Sequence, residues 1–315
     1  MRAESDKPLD IIGLGMSMID LLQVVDEFPG EEGITEVEET RLMGGGPVPT
    51  AIFAAATLGA RTAMIDRIGA DWRGEQVARE FREAGVDLTH FALEPDRTTT
   101  FGSVLVRKRD GARHVVFSPG NFSPLQSDEL PLGAIQSAKI LHLNGRHWPA
   151  CLDAADAMRE TEGLVSFDGG ANRFEKRFLE LLPKVDVLIV AQDFAEKLSE
   201  STDRDAQLES LRSYGASIAG ITEGADGSWF STEEENTFHQ PAFPAQEVID
   251  TTGCGDVFHG AFLYGLTNGK PVRDCARLAS AAAALNATAL GGRGKISPLA
   301  EVEQFLETEN SGNAG

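Results

Sequence analysis

Short, predominantly apolar runs separated by stretches of helical periodicity set the rhythm of this chain. Leu9 to Gly13, Thr62 to Ile68, Ile140 to Leu143, Leu164 to Phe167, Val185 to Val190 and Ser217 to Ile221 have strand length and the composition of strands buried on both faces. Between them lie Ala51 to Leu58, stopped by Gly59, the amphipathic Trp72 to Ala84, ended by Gly85, and the helical stretches Trp148 to Glu160 and Asp203 to Tyr214. Sustained α/β alternation predicts a mostly parallel sheet flanked by helices. One region breaks the rhythm. Thr98 to Val106 and His114 to Phe117 are β-rich and joined by a charged turn containing Asp110-Gly111, a hairpin signal. Such an excursion from a sheet often forms a lid or an interface. Cys275 to Leu290 is small and apolar, which predicts a buried helix, and Gly291-Gly292-Arg293-Gly294 reads as its cap and loop.

Composition narrows the class. With 315 residues, 42% of them hydrophobic, the chain can build one large α/β domain or two small ones. A formal net charge of −21 argues against nucleic acid as a broad-surface partner, while leaving room for a local basic pocket. Cys151, Cys254 and Cys275 form neither a metal spacing nor a disulfide framework, which fits a reducing compartment and places the protein in the cytoplasm. The apolar run Leu9 to Val25 is broken by Gly13, Gly15, Asp20 and Gln23, so it is neither signal peptide nor membrane span.

Candidate chemistry concentrates where glycines open helices. Asp250-Thr251-Thr252-Gly253-Cys254-Gly255 follows a β-branched strand end, and a helical pattern begins just after Asp256. Unpaired N–H groups at such a turn converge on an anion. Asp256, next to a bound phosphate, can take a proton from a hydroxyl nucleophile; the plainer alternative is a tight turn with Asp256 as helix cap. A second glycine-rich helix start, Met43 to Thr50, allows close approach of backbone to ligand. Asp20 can accept two hydroxyl hydrogen bonds from a polyol, or be a solvated turn aspartate. In Thr222-Glu223-Gly224-Ala225-Asp226-Gly227 the hydroxyl and glycine N–H groups can touch a phosphate tail, though a plain hairpin fits as well. Gly13-Leu14-Gly15 lacks the third glycine of a dinucleotide motif.

Asp250-Thr251-Thr252-Gly253-Cys254-Gly255-Asp256 closely resembles the C-terminal signature of the ribokinase/PfkB sugar-kinase family, Asp-Thr-Thr-Gly-Ala-Gly-Asp, and Gly45-Gly46 resembles its N-terminal signature. With Asp20 and Thr222-Glu223-Gly224, the likeness spans about residues 9 to 305. It implies a single ribokinase-like domain over 1–305, with lid segments at about 21–42 and 98–117 and a loose tail at 306–315. It further implies magnesium-dependent transfer of the ATP γ-phosphoryl group to a sugar hydroxyl, and a homodimer formed through the lid. By the family pattern Asp256 is the base, and the N–H groups of Gly253, Cys254 and Gly255 form the anion hole. Asp20, Gly45, Gly46 and Thr50 face the sugar, while Thr222, Gly224 and Gly227 face the nucleotide. Asp250 and Thr252 match positions that help bind a monovalent cation such as potassium.

Departures from the pattern shape the expected acceptor. Where the family often has Asn-x-x-Glu, this chain reads Ala191-Gln192-Asp193-Phe194. Thr50 stands where many members have a substrate-binding Asn, and Met18 where ribokinases place another, so a plain ribose kinase is disfavoured. Gly44-Gly45-Gly46-Pro47 with Thr50 is more similar to a branch that includes sulfofructose kinases, and His142 to His147 resembles ketohexokinases. Arg146 presents a fork matched to an anionic acceptor group, or is a surface arginine at a strand end. A ketohexose-like or anionic sugar is the favoured acceptor. The alternatives are a nucleoside kinase of the same superfamily and a catalytically silent sugar-binding protein.

Overall fold

The computed structural model describes residues 7–235, 237–245 and 247–312. The chain opens with β1 (Leu9–Leu14), then leaves the main layer for β2 (Met18–Val25) and β3 (Glu39–Gly45). It returns through α1 (Pro47–Leu58), β4 (Thr62–Gly69), α2 (Trp72–Glu83) and β5 (Phe91–Glu94). A second excursion, β6 (Phe101–Arg107) and β7 (Arg113–Ser118), precedes α3 (Leu132–Ser137), β8 (Ala138–Leu143), α4 (Ala150–Arg159) and β9 (Leu164–Gly169). Next come β10 (Val187–Ala191), α5 (Gln192–Ser199), α6 (Arg204–Ser213), β11 (Ile218–Thr222), β12 (Ser228–Thr232) and β13 (Phe238–Gln240). Three helices close the fold: α7 (Cys254–Thr267), α8 (Val272–Asn286) and α9 (Leu299–Gly312).

The main sheet has the order β13-β12-β11-β10-β9-β8-β1-β4-β5. It is parallel except at the β12 and β13 edge. Alternation along each strand feeds two separate cores. In β1, Ile11 packs with α1, α7 and α8, while Ile12 and Leu14 pack with α4 and the segments around β9 and β10. Gly13 serves packing, because a Cβ there would lie 2.5 Å from Ile52 of α1. That close contact explains the short glycine motif of β1 without any dinucleotide.

The helix pair α1 and α7 packs closely at Gly260, where a Cβ would lie 2.3 Å from the carbonyl oxygen of Ala51. The segment after α8 touches both helix starts, Gly292 against Gly253 and Arg293 on Thr50, so the two helices begin at the same end of the sheet. The small sheet, ordered β3-β2-β6-β7, stands over that end. Its β2–β6 pairing is parallel and its other two are antiparallel. Leu22, Val24, Val104 and Val106 turn inward against Leu290 and Met43. Arg113 of β7 reaches across to donate to the Thr252 hydroxyl at 3.1 Å.

Two boundaries differ from the sequence pattern. α8 stops at Asn286 rather than running to Leu290, because Asn286 is drawn into bonds with the neighbouring turn. α9 continues through Gly312, where a loose tail is predicted from residue 306. Apolar anchoring explains the difference, since Phe305 and Leu306 rest against the core. Residues 313–315 of that segment lie outside the described residues.

Phe167 of β9 is fully buried, with Phe178 and Phe194 at ring distances of 5.3 and 6.0 Å. Phe167→Ala is expected to lower the unfolding free energy by about 3–5 kcal/mol, read as a lower urea midpoint with an unchanged slope.

Candidate active site

The turn before α7 is held by its own side chains. Asp250 is buried; one carboxylate oxygen accepts from the Thr252 N–H and hydroxyl at 2.8 and 2.6 Å, and the other from the Gly291 N–H at 2.9 Å. Asn286 bonds the Thr252 and Gly292 carbonyls and accepts from the Lys295 N–H. Gly253 caps the helix in the left-handed region, with φ 70°, against the backbone of Gly292. A side chain at Gly253 would be strained and would collide. Among the described residues the N–H groups of Gly253, Gly255 and Asp256 have no acceptor, and that of Cys254 makes a 3.4 Å turn bond. Gly255 is exposed. An anion can therefore approach a set of unpaired N–H groups at the positive end of the helix.

Asp256 and His259 lie one helical turn apart, and so on one face of α7. His259 approaches Asp168, at the end of β9, with Nε2–Oδ1 3.4 Å. Burial raises the Asp256 carboxyl, the Asp168 charge raises it further, and Arg173, His259 and Arg293 oppose; the balance is about 6. Asp168 goes the other way: burial works against its charge, but His259 and Arg173 outweigh it and hold the carboxyl below its ordinary value. Two neighbouring carboxyls are thus pushed apart in acidity. His142, packed on the His259 ring at 5.4 Å, is lowered to about 3 by burial and by His259, and is neutral.

In the small sheet, Asp20 of β2 lies between Gly45 of β3 and Gly102 of β6. A Cβ at either glycine would fall 2.0 or 2.1 Å from a carboxylate oxygen of Asp20. Burial raises the Asp20 carboxyl to about 6 against the pull of Arg293. Gly46 forms the N-cap of α1, and Thr50 is buried one turn on. Arg293, read from sequence as part of a cap and loop, is the main residue that local pattern missed. Its guanidinium is sandwiched between Phe53 and Phe81 at 4.9 and 5.0 Å. It pairs with Glu80 at 3.2 Å and donates to the Thr50 hydroxyl at 3.4 Å. Glu80 also accepts from the Gly44 N–H at 2.8 Å. One buried ion pair therefore joins α2, the glycine loop, α1 and the segment after α8. Its signal in the sequence was only an arginine among glycines.

The Thr222–Gly227 turn follows β11 and forms a single 3-10 turn over Gly224–Asp226. Glu223 is committed to structure, pairing with Arg204 and accepting from the Trp229 indole. A Cβ at Gly224 would meet nothing within 4 Å, so that side of the turn is open to a ligand; Gly227 is pressed against the backbone after β13. Asp193 accepts from the Asn172 N–H and pairs with Lys197. Arg146, after β8, is exposed and lines a cavity with Arg173 and Arg177. His147 is structural, accepting from the Leu125 N–H and contacting Asp66 and the Gly15 carbonyl. Burial raises the Cys254 thiol to about 11, which excludes a thiolate nucleophile at neutral pH. Among the described residues no three metal-ligating side chains converge, and no helix is long and apolar enough to cross a membrane.

Comparison with known proteins gives this geometry a family. Residues 9–298 match the pfkB family carbohydrate kinases. A 5-dehydro-2-deoxygluconokinase of Geobacillus kaustophilus is 27% identical over 331 aligned residues, covering 99% of this chain and 97% of its own. A nucleoside kinase of Methanothermobacter thermautotrophicus is 25% identical, covering 87% and 88%. The ribokinase of Arabidopsis thaliana, solved with ribose and ATP, shares the fold with a TM-score of 0.79 over 95% of this chain and 98% of that one, at 22% identity. The chain belongs to the pfkB family of carbohydrate kinases.

Proposed function

We propose that this kinase transfers the γ-phosphoryl group of ATP to a hydroxyl of a ketohexose-like or anionic sugar, with Asp256 as the base. The observation that supports it most is the pairing of a carboxyl raised to about 6 with free N–H groups at the same helix start. A base with that acidity is largely ionised at neutral pH yet still basic enough to accept a hydroxyl proton as the oxygen attacks. Gly253, Cys254 and Gly255 offer their backbone to the charge on the moving phosphoryl group, where positioning and electrostatics carry most of the catalysis. Asp20 orients acceptor hydroxyls, backed by Gly45, Gly46 and Thr50, and Arg146 meets an anionic group. Thr222, Gly224 and Gly227 border the nucleotide phosphates.

Magnesium bound with ATP neutralises polyphosphate charge, and such an ion needs only one or two protein carboxylates. Asp168 fits that part, being held ionised with a buried Oδ2 that has no partner among the described residues. A monovalent cation fits beside Asp250 and Thr252. Asp250 is a buried carboxylate without a cationic side chain within 4 Å among the described residues; it is met directly by N–H and O–H donors, with the Arg113 guanidinium one hydrogen bond further out on Thr252. The small sheet acts as the lid and as the dimer contact. Its edge strand β7 is exposed throughout, with Val115, Val116 and Phe117 more than half open to solvent, a surface that favours pairing.

Each assignment has its own test. In an ADP-release assay over ketohexoses, pentoses, nucleosides and anionic sugars, a sugar is expected to be the best acceptor; a nucleoside in that place would favour the nucleoside-kinase alternative. Asp256→Asn is expected to lower kcat by about 10²–10⁴-fold with little change in acceptor binding, and an active variant removes Asp256 as base. Because Asp256 and Asp20 must both lose a proton to work, kcat/KM should rise with pH through about 6 and level off above it, more steeply than for one group. Replacing potassium by choline at constant ionic strength should lower kcat; no change would remove the cation from Asp250. By sedimentation, the wild type should be a dimer and Val116→Asp a monomer, whereas a monomeric wild type overturns the lid contact.

A further inference from the structure

At the carboxyl ends of β8 and β9 lies a cavity of about 190 Å³, walled by the loop at Asn144 to Arg146 and by the loop from Asn172 to Phe178. Three arginines line it, Arg146, Arg173 and Arg177, against one carboxylate, Glu175. Three positive charges less one negative leave the wall at +2, in a protein whose net charge is −21. Arg177 pairs with Glu175 at 2.9 Å and is steadied over Trp148 and Phe178 at 5.4 and 5.6 Å. Arg146 and Arg173 have no ion-pair partner within 4 Å among the described residues. Partial loss of water around the guanidinium of this otherwise exposed residue, and the charges of Arg173 and Arg177, push Arg146 below its ordinary value, and an anion would relieve that crowding.

A second observation is independent of charge. Asn144, in the same wall, is only 6% exposed, and neither atom of its amide has a hydrogen-bond partner among the described residues. A buried amide left unpaired at both ends is unfavourable and uncommon; a bound oxyanion gives its N–H a partner. The cavity also adjoins the reaction centre. A Cβ at Gly170 would lie 3.2 Å from Arg173 Cδ and 3.5 Å from Asp168 Oδ1, so the Arg173 side chain runs beside Asp168.

We propose that this cavity is an oxyanion subsite for the acceptor, in which Arg146, Arg173, Arg177 and Asn144 hold a carboxylate, phosphate or sulfonate remote from the hydroxyl that is phosphorylated. The assignment rests on the acceptor-phosphorylation reading above and narrows it to anionic sugars. Topology favours the acceptor over the nucleotide as the source of the anion. β8 adjoins β1, from whose end the chain runs to Asp20, whereas the Thr222 turn follows β11, two strands beyond β9 and so about 10 Å away. Guanidinium forks match the paired oxygens of all three anions. The subsite fixes one end of the sugar while Asp20 and Asp256 act on the other.

Two measurements decide the matter. Inorganic sulfate, titrated into the nucleotide-free protein and followed by the fluorescence of Trp148 under Arg177, should give a saturable change that disappears in the Arg146→Ala/Arg177→Ala double variant. A titration unaltered by the double substitution overturns the subsite, whatever the kinetics show. In steady-state assays with a ketohexose, its 6-phosphate, its 6-sulfonate and an aldonate, kcat/KM should favour an anionic acceptor over the neutral sugar. Arg146→Ala and Arg177→Ala should each raise KM for that acceptor by about tenfold or more, as loss of a charge-assisted contact does, with KM for ATP within about twofold of wild type. A rise in KM for ATP instead assigns the cavity to nucleotide phosphates and overturns the proposal. Equal use of neutral and anionic sugars, with turnover still abolished by Asp256→Asn, overturns the subsite alone. Loss of the acceptor-phosphorylation reading itself would appear as no ADP release with any sugar, neutral or anionic, a result separate from the sulfate titration.

Discussion

The close contact of α1 with α7 is the constraint on which the rest of the site depends. Gly260 is the seventh residue of α7 and Ala51 the fifth of α1, so the crossing lies roughly 10 Å or less from either helix start at 1.5 Å per residue. With no Cβ at Gly260, the two backbones approach until a carbonyl of one helix nearly touches the other. Two helix N-termini, each preceded by glycine, are thereby fixed side by side at the open end of the sheet. Neither start alone accounts for a two-substrate reaction. Held together, in the reading proposed above, they present one backbone surface to an acceptor and another to a phosphate.

Charge is then distributed around that pair with little help from solvent. Arg293 is sealed between two aromatic rings and neutralised by Glu80, and its field reaches both Asp20 and Asp256. Asp168 is kept ionised by His259 and Arg173. Its negative charge opposes ionisation of Asp256, so the two carboxyls differ in acidity although both are acidic residues in one cluster. Pairs whose surroundings separate them in this way are a recurrent sign of divided chemical roles.

Much of this was legible in the order of residues. The apolar runs named the parallel strands, Asp110-Gly111 named the hairpin of the small sheet, and the two glycine-rich helix starts marked the ends that face one another. What stayed hidden has a common cause. Arg293 gains its meaning from Phe53, Phe81 and Glu80, more than two hundred residues away in the chain, and a short Gly-Gly-Arg-Gly segment looks locally like any helix terminus. Gly102 was lost within a β-rich run because its neighbour Asp20 lies on another strand. Asp168 directly follows the apolar run Leu164 to Phe167, but only the fold brings it to His259. Local pattern records backbone shape well; it does not record which distant charges will share a buried space.

The glycines on either side of Asp20 limit how such an enzyme can change its diet. Any side chain at Gly45 or Gly102 would fall on the carboxylate itself, so the surface around Asp20, the proposed acceptor floor, has no room for variation. The arginines of the loops after β8 and β9 are less restricted, since Arg146, Arg173 and Arg177 are at least partly open to solvent, although Gly145 beside them is packed on Phe178. Selection for a new acceptor, in nature or in a library, would therefore find its freedom at the rim and leave the small sheet as a fixed template common to every substrate.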